Sequence, residues 1–129
     1  MEKFCWVCLG GAFGSGARYL VGLWAVQTFS PAFPYGTLIV NVVGCFLMGA
    51  VMQSALSFGA FPENLRLALT AGVLGGLTTY SSFSYETTRL AFDGARRVAL
   101  LNFTLTTLAC FGALLLGMAL PKLLIRGAN

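Results

Sequence analysis

The chain has 129 residues, 57% of them apolar or aromatic and only 9% charged, with a formal net charge of +4. A soluble domain this apolar could not cover its own surface with polar groups, which excludes a water-soluble globule. It also holds no histidine, no nucleophile with a base in reach, no phosphate-binding loop and no basic cluster, so enzymatic chemistry and nucleic-acid binding fall away.

Helical runs of about 20 apolar residues cross a bilayer. The hydropathy predicts an all-α protein forming one transmembrane domain over residues 1–129, with spans near 4–29, 37–58, 63–92 and 96–122. Loops of a few residues join them.

The first span is interrupted by one charge, Arg18, and is too long for a signal-peptide apolar region, so it is read as retained. Gly10 and Gly14 are spaced so that another helix can approach its backbone closely. Arg18 costs about 2.5–3.5 kcal/mol at a helix centre on insertion scales, so it either snorkels to the interface or faces a vestibule. Cys5 and Cys8 have CxxC spacing but sit among Trp6, Val7 and Leu9, and with Cys45 and Cys110 they read as packing residues.

A turn rich in helix breakers, Pro31 to Gly36, leads into the second span. Asn41 lies about one turn inside it, in an otherwise apolar run.

The third span is unusual. Its apolar part, Leu65 to Leu77, is about 20 Å long as a helix and too short to cross. The crossing must therefore include the polar run that follows, with seven hydroxyls between Gly75 and Glu86. Glycines beside a block of Ser and Thr make a helix easy to break, and irregular backbone survives in a membrane only where protein or a water-filled path satisfies it. The expectation is a broken helix near residues 75–79.

Two readings stay open for these side chains. Ser81, Ser82 and Ser84 either repair freed backbone or face an ion, and Tyr80 and Phe83, three apart on one helical face, either pack or turn ring edges toward a pore. Glu86 either pairs with Arg89 one turn later or stands at a pore mouth. In the fourth span Asn102, Thr106 and Cys110 fall on one face, a hydrogen-bonding stripe on an apolar helix.

The basic residues divide almost evenly. Lys3, Arg66, Lys122 and Arg126 fall on the side of the termini, while Arg89, Arg96 and Arg97 fall opposite, with Arg18 leaning that way. So little bias permits insertion in both orientations. Four spans without an internal repeat do not readily enclose a symmetric path, so an oligomer is the simpler arrangement. Donor-rich hydroxyls and amides, with Arg18 and no acidic ring, suit an anion.

Three strings carry a family resemblance: GGAFGSGARY at Gly10 to Tyr19, YGTLIVNVVGCFLMG at Tyr35 to Gly49, and GGLTTYSSFSYE at Gly75 to Glu86. They resemble the Fluc/CrcB family of bacterial fluoride channels. The resemblance implies a multi-pass protein of the cell membrane, an antiparallel, dual-topology homodimer of four-helix subunits that exports fluoride passively through two pores. It further implies a structural, non-transported sodium ion at the dimer centre, held by backbone carbonyls of Gly75 and Thr78. By the same likeness Asn41, Tyr80, Ser81, Ser82, Phe83, Ser84 and Thr106 would line the fluoride path, with Arg18 and Glu86 at its vestibules. Tyr80 departs from the phenylalanine common in the family.

Two other classes compete. A small dual-topology multidrug exporter needs a carboxylate deep in the first span, where this chain has none after Glu2. A non-transporting membrane assembly subunit would leave the polar third span without a purpose.

Overall fold

The computed structural model describes residues 1–59 and 61–126, and within them the regular structure is all helical, with no strand. Helix α1 runs Glu2–Thr28 and α2 runs Tyr35–Phe58. The short α3, Glu63–Leu67, passes directly into a π-helical stretch, Ala68–Leu74, and then a single turn, α4, Gly75–Leu77. Helices α5, Tyr80–Phe92, and α6, Arg96–Arg126, complete the chain.

Local chemistry sets the ends of these helices. Gly59 caps α2 at φ 59°, a left-handed conformation that costs residues with a Cβ. Between α4 and α5 the backbone leaves helical geometry for two residues, with ψ 154° at Thr78 and ψ 112° at Thr79. The Thr79 hydroxyl then accepts from the Ser82 N–H and caps α5.

Glycine lets the helices close on one another. A Cβ on Gly10 would stand 2.5 Å from the Ala68 carbonyl oxygen, and one on Gly76 would stand 2.6 Å from that of Gly11, so α1 lies directly against the π-helical stretch and α4. Helices α2 and α6 make the same kind of contact, Gly49 against the Leu114 carbonyl and Gly117 against that of Phe46. Gly44 admits the Thr78 methyl against α2.

The distribution of polarity is inverted relative to a soluble protein. Asn41, Gln53, Thr79, Asn102 and Thr106 are buried, while Phe13, Phe92, Leu108 and Leu115 lie on the surface. Water would strongly oppose such a surface, whereas acyl chains solvate it. By length and composition α2 and α6 are each able to cross a bilayer. The charged contacts sit at the ends of elements, Lys3 with Glu63 at 2.7 Å and Arg89 with Asp93 at 3.6 Å.

Candidate functional site

The interruption between α4 and α5 is held from the side by one amide. Asn41 on α2 donates through Nδ2 to the Thr79 carbonyl at 3.1 Å, and its Oδ1 accepts the Thr79 N–H at 2.7 Å. Both backbone groups of an extended residue are thus satisfied in an apolar interior, where leaving either unpaired would cost several kcal/mol in the limit of no compensation.

This pairing has a consequence for the carbonyls before the break. In an uninterrupted helix the Thr79 N–H would bond the Gly75 carbonyl and the Ser82 N–H that of Thr78. Here the first goes to Asn41 Oδ1 and the second to Thr79 Oγ1. Side chains have taken the donors, so the Gly75 and Thr78 carbonyl oxygens are released from the helical ladder.

The hydroxyls divide into two groups. Thr79 Oγ1 lies 3.2 Å from Ser81 Oγ and donates to Ser82 Oγ at 3.0 Å, a cluster at the start of α5. Thr78, Ser84 and Thr87 instead bond carbonyls of their own segment, those of Leu74, Tyr80 and Phe83. From α6, Asn102 donates to Thr87 Oγ1 at 2.8 Å and accepts from Thr106 Oγ1 at 3.2 Å. Among the described residues Asn102 is the most deeply enclosed side chain, 1% exposed.

A cavity of about 480 Å³ opens beside the interruption, lined in part by Asn41, Thr78, Thr79, Tyr80, Phe83 and Thr106. Five of the residues expected at a site therefore share one space: Asn41, Thr78, Tyr80, Phe83 and Thr106. Phe83 is buried between the rings of Tyr80, 5.7 Å away, and Phe103, 6.1 Å away, whereas Tyr80 is 78% exposed at the rim. Ser81, Ser82 and Ser84 lie beside this space rather than in its wall.

Glu86 belongs elsewhere. It accepts from Thr37 Oγ1 at 2.9 Å and lines a second cavity of about 560 Å³ at the turn between α1 and α2. Arg89 pairs with Asp93, so the local ion pair with Glu86 is not formed. Arg18 lines neither cavity; it sits half-buried one turn beyond Gly14, on the face that meets the π-helical stretch.

Sequence reasoning did not single out Thr79, Thr37, Thr87 or Asn102 as site residues. Asn102 was signalled by its four-residue spacing to Thr106 and Thr79 by its place in the expected break, whereas the parts played by Thr37 and Thr87 depend on contacts between segments.

An all-helical chain with a lipid-compatible surface, polar buried positions and a hydroxyl-bearing cavity beside released carbonyls is an integral membrane protein. Residues 5–118 match the family model described as CrcB-like protein, Camphor Resistance (CrcB). The chain belongs to the CrcB family. It is 51% identical over 113 residues to a protein of Anaeromyxobacter dehalogenans named "Fluoride-specific ion channel FluC", covering 88% of this chain and 90% of that one. Proteins of the same name from Sorangium cellulosum and Citrifermentans bemidjiense are 46% and 42% identical, covering 98% and 96% of this chain and 100% of each relative.

Proposed function

We propose that this chain is a fluoride-selective ion channel that lets the anion leave the cytoplasm passively and so relieves its toxicity; it is a channel, not an enzyme. Hydrogen fluoride crosses a membrane neutral and ionises in the less acidic cytoplasm, where the anion is trapped. A passive exit for the anion relieves that accumulation.

The observation that carries this reading is the cavity lined by Asn41, Phe83 and Thr106 beside the interrupted helix. Fluoride must exchange its water for other donors. One of the two Asn41 Nδ2 hydrogens is committed to Thr79, and the other remains for an anion. The Phe83 ring edge adds positive quadrupole character, and among the described residues no carboxylate lines this space. The exporter reading has no comparable support, since the only carboxylate of α1 is Glu2 at its first residue.

The working unit in this proposal is an antiparallel homodimer in the cell membrane, each chain crossing four times as α1, α2, the α3-to-α5 segment and α6. The near-even division of Lys and Arg supports insertion in both orientations. Exposed Tyr80 at the cavity rim supports a pore completed by the second copy. On this reading Ser81, Ser82 and Ser84 continue the track, and Arg18 and Glu86 serve its vestibules.

A sodium ion at the dimer centre fits the same geometry. Released carbonyls of Gly75 and Thr78 from two copies would supply oxygen-only ligation, which suits a hard cation. Replacing sodium by an organic cation should then weaken the dimer.

Efflux from liposomes containing the purified protein, read with a fluoride electrode beside a chloride control, tests the function. Fluoride should leave and chloride stay; equal leakage of both, or of neither, rejects the proposal.

A further inference from the structure

Three sulfur-bearing residues that neither hydrogen-bonding network uses line the cavity. Cys45 and Met48, three apart on α2, and Cys110, one turn beyond Thr106 on α6, all line it. Cys45 and Cys110 thus line one cavity from the two helices that pack against each other there. That contact is tight because Gly49 and Gly117 let the two backbones touch. Both cysteines are half-buried and free of disulfide.

The geometry points to a binding site for a soft, thiophilic divalent metal ion, formed by Cys45 and Cys110 as thiolates with Met48 as a weaker thioether ligand. Thiolate and thioether donors select soft cations, and among the described residues no carboxylate lines this cavity to hold a hard one. Charge argues for a divalent ion. Two thiolates and one divalent cation make a neutral complex, the form that an apolar interior tolerates, whereas a monovalent cation would leave a net negative charge. Binding breaks two S–H bonds, forms two S–metal bonds and releases two protons to solvent, with no change of oxidation state.

The site is independent of the transport reading. An ion held there would tie α2 to α6 and sit in the space shared by Asn41, Phe83 and Thr106.

The probe is mercuric ion, added at one equivalent to the full-length Cys5→Ser/Cys8→Ser protein in detergent. The protein is then denatured, alkylated with a maleimide and weighed intact. A bridged pair yields one mercury per chain, a loss of two protons and no alkylation. Two mercury atoms on one chain, a mercury-linked pair of chains, or alkylation of either thiol at full mercury occupancy overturns the proposal. So does full alkylation without mercury. Met48→Leu should keep the bridge while making it several-fold easier for a competing monothiol to remove; an unchanged competition curve removes Met48 from the site. Because mass is the readout, the result stands whether or not the protein passes fluoride.

Discussion

Asn41 on α2 bonds both the N–H and the carbonyl of Thr79, at 2.7 and 3.1 Å, and so replaces with one amide the helical partners that the extended backbone gives up. The contact joins residues 38 apart in sequence. It links stability to function, because the same amide faces the cavity proposed to carry fluoride.

Asn41→Ala strands two buried backbone groups, each worth about 1–3 kcal/mol. Thermal unfolding in detergent should show the variant clearly destabilised, and its fluoride flux should fall. Asn41→Asp keeps an acceptor for the Thr79 N–H but removes the donor to its carbonyl, so its stability should lie between the two. A wild-type melting temperature in Asn41→Ala would show that water or another side chain replaces the amide.

Close helix contacts make a second, purely steric prediction. A Cβ at Gly76 meets the Gly11 carbonyl at 2.6 Å, whereas one at Gly112 meets nothing within 4 Å. Gly76→Ala should therefore cost roughly 1–3 kcal/mol through overpacking, and Gly112→Ala should be close to neutral. Equal melting temperatures for the two variants would contradict the α1–α4 contact.

Phe83 and Tyr80 separate ring edge from bulk. Phe83→Ile preserves apolar volume but removes the edge, an interaction of about 1 kcal/mol or more, and should lower fluoride flux about tenfold while the oligomer stays intact. Tyr80→Phe keeps the ring and removes only the phenolic oxygen of an exposed residue, so folding should be unaffected. Efflux measured on both, beside size-exclusion profiles, reports whether these rings carry the ion or merely pack; unchanged flux in Phe83→Ile favours packing.

Asn102 ties α6 to α5 by donating to Thr87, and within α6 it accepts from Thr106. Asn102→Leu should destabilise by about 1 kcal/mol and free Thr106 to turn back to its own helix, reducing flux. Thr104 already bonds the carbonyls of Leu100 and Leu101 on an exposed face, and Thr104→Val is the matched control, expected to change neither. Paired melting and efflux curves check both statements.

Much of the architecture was legible because a bilayer imposes long-range order on local composition. Apolar length placed the helices, and the four-residue spacing of Gly10 and Gly14 marked a close contact whose partner, the Ala68–Leu74 stretch, could not be named. The hydroxyl block after Leu77 marked the segment beside which the cavity opens. Spacing also aligned Asn102 with Thr106, since both lie on one helix.

What remained was decided by which segments meet. No local pattern tells Asn41 that its partner is Thr79, or gives Glu86 to Thr37 rather than to Arg89, whose nearer carboxylate is Asp93. Periodicity reports the face a residue occupies and not what lies opposite. By itself the sequence determined that this protein belongs in a membrane and where its polar segment falls, because the cost of exposing polar backbone to lipid acts on every residue alike. Tertiary structure alone decided which side chain satisfies each freed backbone group, because that depends on the packing of helices distant in sequence.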